Sequence, residues 1–270
     1  MRNIVTKGTY IEIVEFRSQN IIICRTQQKK DTDTLFIICE GTSIRMNESN
    51  YILDNDPFLK MPDEKEYSKR LDGDVVSMYF TFECKGLNQS GKDIAEYIEN
   101  CANLKYKNVI LIGHSKAGVC FANAARWIKS KVTIICVSAP FKGTIIADKE
   151  EMKKRLSEIS YTKIYMKYFS NHLIDREVIP NSDFLQNADF SGVNKHVCVN
   201  VISKIKNIKG IYDLTCKCIG KMAYLEQESD GIVTCASQDA LKNAINLYVN
   251  ASHATSMKRI LSMKVSEYIL

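Results

Sequence analysis

Three residue types in one chain order could do acyl-transfer chemistry. They are a serine in Gly113-His114-Ser115-Lys116-Ala117, an aspartate in Ser229-Asp230-Gly231, and a histidine in Asn250-Ala251-Ser252-His253. A serine hydroxyl is a weak nucleophile until a base takes its proton, and the base works only when a third group orients it. Ser115 follows a run of β-favouring apolar residues, 109–112, and precedes a helix-like segment, 117–128. This is the pattern of a nucleophile elbow, in which a parallel strand stops, the chain turns sharply, and the serine is held at the tip. Strand and helix backbones pass close together there, so small residues are needed on both sides. Gly113 and Ala117 supply them, giving G-x-S-x-A instead of G-x-S-x-G.

The chain has four histidines, so each can be weighed as the base. His114 sits beside the serine and is directed elsewhere by the turn. His172 falls in a charged insertion, and His196 begins a strand. His253 follows a late strand, at the edge where parallel sheets place their sites, and is the candidate base. The orienting carboxylate is expected between serine and base in chain order. Asp230 fits, in a turn that can aim its side chain inward. A plain Asx turn is the alternative reading of Ser-Asp-Gly, and Asp183 and Asp213 are further candidates. A tetrahedral oxyanion needs amide donors. Lys116, the residue after the nucleophile, offers one from its backbone. Thr42, in the turn after the first central strand, offers the other, with Gly41 letting the backbone approach.

These groups must be positioned by a sheet. Residues 10–16 and 21–25 read as an edge hairpin around the turn 17–20. Residues 34–39 form a continuous apolar run, which suits a strand covered on both faces. Residues 43–73 are polar and irregular, and 75–82 read as another strand. Ser90-Gly91-Lys92-Asp93 has the pattern of a capping box opening a helix, with Ile94, Ile98, Cys101 and Leu104 at helical spacing. After the elbow come strands at 132–137, 197–203 and 245–249, a short strand at 222–225, and a closing helix over 256–269. The alternation of strand and helix predicts an α/β fold, a mostly parallel sheet with helices on both faces. Residues 148–190 read as a charged helical insertion, and the aromatics at 161, 165, 168 and 169 suggest a lid within a single domain spanning 1–270.

Composition bounds the function. A hydrophobic fraction of 45% supports a sizeable core. Residues 1–16 contain no secretory h-region and no run is long enough to cross a bilayer, so a cytoplasmic location is expected. The ten cysteines are then expected to be reduced, and Cys216-Lys217-Cys218 lacks a second pair at metal-site spacing. The net charge of +6 is spread over turns and helices. It reads as a solvated surface, with contact to an anionic lipid surface as the minor reading. No aromatic-basic interleaving points to nucleic acid.

Taken together, several short motifs resemble those of the α/β-hydrolase superfamily, and more narrowly its lipase-like branch. Glu40-Gly41-Thr42 is similar to the family's His-Gly-x oxyanion turn, and 138–144 resembles the stretch after the following strand, with Phe141 in place of a histidine. Residues 180–185 resemble a lid-region motif, and 229–233 resemble the turn bearing the acid. The resemblance implies a fold with a mostly parallel sheet and a helical lid. It also implies carboxylic ester hydrolysis through an acyl-enzyme, with no metal or organic cofactor and with a small-molecule or lipid ester as substrate. Transfer of the acyl group to another acceptor, thioester cleavage, and a silent binding protein are the alternatives. Glu40 in place of the usual histidine would weaken the oxyanion turn if its carboxylate pointed inward.

Overall fold

Continuous apolar runs become strands buried on both faces, and each strand divides its residues between two cores by simple alternation. In β4 (Thr34–Cys39), Leu35 and Ile37 enter one core, while Phe36 and Ile38 enter the other. In β8 (Asn108–His114), Val109 and Leu111 separate from Ile110 and Ile112 in the same way. The computed structural model describes residues 4–7, 10–25, 32–41, 44–46, 51–53, 67, 69–81, 84–156 and 176–263.

Around these two strands lie β1 (Ile4–Lys7), β2 (Tyr10–Arg17), β3 (Ile21–Arg25), β5 (Ile44–Met46), β6 (Tyr51–Leu53), β7 (Asp74–Thr81), β9 (Thr133–Val137), β10 (Val197–Lys204) and β11 (Ile245–Asn250). Among the described residues the sheet runs in the order β1-β2-β3-β7-β4-β8-β9-β10-β11, with β5 and β6 off this path. From β7 to β11 every neighbouring pair is parallel, and the edge β1-β2-β3 is antiparallel. The parallel strands all end at one edge, which receives the turns after β4, β8 and β10 and the loop after β11.

The helices cover both faces. α1 (Leu87–Tyr97) and α2 (Lys116–Ala124) pack Ile94, Val119 and Phe121 into the first core. On the opposite face, Met257, Ile260 and Leu261 come from α7 (Ser256–Ser262). The chain also forms α3 (Lys149–Leu156), α4 (Asp183–Gln186), α5 (Ile211–Tyr224) and α6 (Cys235–Gln238).

Several local expectations are corrected. α1 starts at Leu87, a turn before the predicted cap, and Ser90 donates to the Gly86 carbonyl (3.0 Å) instead of accepting an amide. The Glu177 carboxylate takes over the capping task and accepts the Leu87 N–H at 2.8 Å. The helix widens into a π turn at Ile98–Ala102, which breaks the spacing and leaves Leu104 78% exposed. The region 43–73 is less irregular than it reads, because β5 and β6 form a hairpin alongside β7. The short strand expected at 222–225 is the end of α5. That helix buries Asp213, Cys216, Gly220 and Ala223, a stripe at helical spacing whose polar and small residues give little hydrophobic signal. The closing helix is described from Ser256 to Ser262, and 264–270 lie outside the described residues. His172 and the aromatics at 161–169 lie outside them too.

Candidate active site

At the elbow, β8 ends at His114 and α2 begins at Lys116, with Ser115 alone between them at φ 55° and ψ −127°. A non-glycine residue held there carries about 1–3 kcal/mol of strain, so the surroundings must fix it. Its N–H donates to the Val137 carbonyl (2.8 Å) and its carbonyl accepts the Gly118 N–H (3.0 Å). The small-residue requirement is met to the ångström: a Cβ on Gly113 would lie 2.7 Å from the Ala117 carbonyl carbon and oxygen. Gly41 comes equally close to the serine. Its φ is +89°, and a Cβ would fall 2.9 Å from the His114 carbonyl oxygen and 3.3 Å from the Ser115 Cβ. Gly41→Ala should therefore destabilise the fold by about 1–3 kcal/mol through strain and crowding. Thermal unfolding measures this, and a Tm equal to wild type would show that the turn is not so confined.

Across the site, His253 and Asp230 form a buried pair. His253 Nδ1 lies 2.8 Å from Asp230 Oδ2, and the His253 N–H donates to the Asp230 carbonyl at 2.9 Å. The other carboxylate oxygen accepts the amides of Ile232 (2.9 Å) and Val233 (2.8 Å). An ionised carboxylate only accepts, so in the neutral ring the proton sits on Nδ1 and Nε2 is the basic atom. The acid turn is braced from outside. Thr144 and Tyr224 hydroxyls meet the Ile232 carbonyl, and the buried Gln238 amide donates to the carbonyls of Ser203 (3.0 Å) and Val233 (3.1 Å).

His114 joins the two halves. It is buried, its Nε2 lies 3.0 Å from the His253 carbonyl oxygen, and its ring centroid is 4.5 Å from that of His253. Its Nδ1 lies 3.4 Å from the Glu40 carbonyl oxygen, immediately before Gly41. Burial, and then the neighbouring His253, push His114 well below the ordinary histidine value of 6.5, so the ring is neutral. With one proton to give, the shorter contact makes Nε2–H the donor to His253. The sign of the pH effect follows. Below pH 6.5 the unfolded chain takes up a proton that the folded chain refuses. Stability should then fall with falling pH by up to about 1.4 kcal/mol per unit on this account. Denaturant titrations across pH should show a shallower acid slope in His114→Asn, and equal slopes would contradict this.

Solved structures with this backbone arrangement include proteins named as lipases and esterases, at low sequence identity. The mature form of the lipase BlEst2 from Bacillus licheniformis aligns with a TM-score of 0.59 at 13% identity, over 94% of this chain and 100% of that one. An esterase from Pyrococcus furiosus aligns at 0.51 and 13%, over 98% and 88%. A lipase-esterase related protein from Clostridium acetobutylicum aligns at 0.50 and 14%, over 93% and 100%. No protein-family model and no curated protein matches the sequence. The chain has the α/β-hydrolase fold.

Lys116 is the first residue of α2, where helix amides carry the positive end of the macrodipole. Its side chain, to which the sequence reading gives no role, is buried with Nζ 4.4 Å from the Phe80 ring centroid. It lies near Glu177, whose carboxyl is pushed up by burial while the Leu87 amide and Lys116 pull it down. A lysine at a helix start gives no sequence signal of burial. Thr42 lies outside the described residues, next to Gly41. The Glu40 carboxylate accepts the Tyr67 hydroxyl at 2.7 Å.

The alternative carboxylates are placed elsewhere. Asp213 accepts the Thr255 hydroxyl (3.0 Å) and the Lys209 amide (3.0 Å), and Asp183 is exposed at the start of α4. His196 Nε2 faces the Ala125 carbonyl (3.0 Å). Phe141 packs edge-on against Phe190 at 5.4 Å. Cys216 is buried and Cys218 exposed on α5. Among the described residues no group of three or more His, Cys, Asp or Glu could hold a metal ion, and no helix is long and apolar enough to cross a membrane.

Proposed function

We propose that the chain is a serine carboxylic ester hydrolase of the esterase or lipase type, acting through Ser115, His253 and Asp230. The observation that carries the reading is the buried His253–Asp230 pair, tied by His114 to the elbow that bears the strained serine. The neighbours named as lipase and esterase have the same fold, which supports an ester as the substrate class.

In the first step His253 Nε2 takes the Ser115 hydroxyl proton as Oγ bonds to the ester carbonyl carbon, and the carbonyl electron pair moves onto oxygen. The backbone amides of Lys116 and Thr42 receive that oxyanion, and each such donor is worth about 10²–10³ in rate. The intermediate collapses with cleavage of the alkoxy bond, and His253 returns the proton to the leaving alcohol. Water then attacks the acyl-enzyme by the same route and releases the acid. Asp230 keeps Nδ1 protonated throughout, and its two amide donors keep the carboxylate oriented. His114 positions the base through the His253 carbonyl. The 148–190 insertion, whose residues 157–175 lie outside the described ones, is the candidate lid.

Wild-type protein assayed with p-nitrophenyl esters from acetate to palmitate should hydrolyse at least the shorter members without added metal or cofactor. Failure on every chain length would sink the reading.

A further inference from the structure

The sequence 204–211, Lys-Ile-Lys-Asn-Ile-Lys-Gly-Ile, leads from the end of β10 into α5 and alternates cations with isoleucines. Burial does not explain Ile208 and Ile211, whereas Ile205 is half-buried. Ile208 is 46% exposed, and Ile211 and Leu214, on the first turn of α5, are 62% and 43% exposed. Lys206 and Lys209 are exposed between and beside them. Soluble surfaces tolerate single apolar residues, but a cluster within one turn and its leading loop marks a contact site.

The cluster is also fixed to the candidate active site. The Lys206 and Asn207 amides donate to the Asn250 side chain at 2.9 and 3.3 Å, at the end of the strand that leads to His253. Asp213 joins the Lys209 amide to the Thr255 hydroxyl, two residues past His253. On its inner face α5 meets the acid turn, where a Cβ on Gly231 would fall 2.3 Å from the Cys216 carbonyl oxygen. The exposed isoleucines therefore stand on the strand-end edge that carries His253 and Asp230.

We infer that Ile208, Ile211 and Leu214, rimmed by Lys206 and Lys209, dock the protein on an anionic lipid surface. Charge selects this occupant. Residues 204–221 hold five lysines and one acid, Asp213. That acid is buried and hydrogen-bonded inward, and of the lysines Lys204 is paired with Glu228 beyond the segment, so the rim charge is that of Lys206 and Lys209. Short apolar side chains entering the acyl boundary with lysines at headgroup level is how interfacial segments bind. The α5 N-terminus, at the positive end of its dipole, faces the same way. The consequence for substrate, an ester drawn from that surface, rests on the hydrolase reading above, whereas the docking does not.

The experiment is co-sedimentation of the full-length protein with phosphatidylcholine vesicles with and without phosphatidylglycerol, alongside turnover of a soluble p-nitrophenyl ester. Wild type should partition onto the anionic vesicles. Lys206→Gln and Lys209→Gln should each weaken partition about fivefold, and the double variant Ile208→Glu/Ile211→Glu by tenfold or more. All three should keep wild-type turnover of the soluble ester. Leu104→Glu, which alters an exposed leucine at the opposite end of the strands, should bind like wild type. Partition without any ester turnover would leave the docking surface standing and remove only the hydrolase reading. Unchanged partition in the double variant, or no partition by wild type, would overturn the inference. So would light scattering that shows a dimer dissolved by Ile211→Glu without vesicle binding, because the occupant would then be a second copy.

Discussion

Asp230→Asn lowers turnover of a p-nitrophenyl ester by about 10⁴-fold while leaving the fold intact. The size of the effect comes from tautomer choice. The asparagine oxygen can keep the two amide bonds that Oδ1 accepts from Ile232 and Val233. That leaves its NH₂ facing His253 Nδ1, now a donor where an acceptor stood. Nδ1 must then give up its proton, Nε2 carries it, and the proposed base can no longer accept the serine proton. The packing is preserved, so circular dichroism and Tm should move little. Steady-state kinetics at neutral pH provide the readout. A loss of less than tenfold would mean that Asp230 only shapes its turn, the plain Asx-turn reading of Ser-Asp-Gly.

Ser115→Ala should be the most damaging single change to activity, with kcat reduced by about 10⁵- to 10⁶-fold. Alanine keeps the Cβ that meets Gly41 at 3.3 Å and demands the same left-handed backbone, so it removes the nucleophile without relieving the strain. Activity and stability should therefore separate cleanly, with hydrolysis lost and Tm close to wild type. Because the three proposed catalytic residues act as one unit, combining Ser115→Ala with Asp230→Asn should cost no more than Ser115→Ala alone. Retention of full activity by Ser115→Ala would remove the serine from the chemistry.

The strands and the elbow were legible because burial on both faces forces long apolar runs, as in residues 34–39 and 109–112. Gly113 and Ala117 announce a backbone crossing that nothing larger would permit. Chain order and turn type single out Asp230 and His253 as partners, and the fold brings their side chains to 2.8 Å. What stayed hidden depends on partners far along the chain. The true cap of α1 is Glu177, ninety positions from the amide it accepts, and no local pattern encodes that. α5 carries little sequence signal because its buried face is made of Asp213, Cys216, Gly220 and Ala223 while Ile211 and Leu214 face outward. The contact between His114 and the His253 carbonyl spans 139 positions. A histidine next to a serine gives no hint that its ring crosses to the other side of the site. The burial of Lys116 was hidden for a related reason, since nothing local to a first-turn lysine announces that its ammonium packs over the Phe80 ring of β7.

The proposed role of Ser115 as the nucleophile, activated by His253, is tested most directly by covalent labelling of the wild-type protein with a fluorophosphonate, followed by intact-mass and peptide analysis. One phosphonyl adduct per chain is expected, on Ser115, forming far more slowly in Asp230→Asn and not at all in Ser115→Ala. An unlabelled wild type, or an adduct on any other residue, would contradict it.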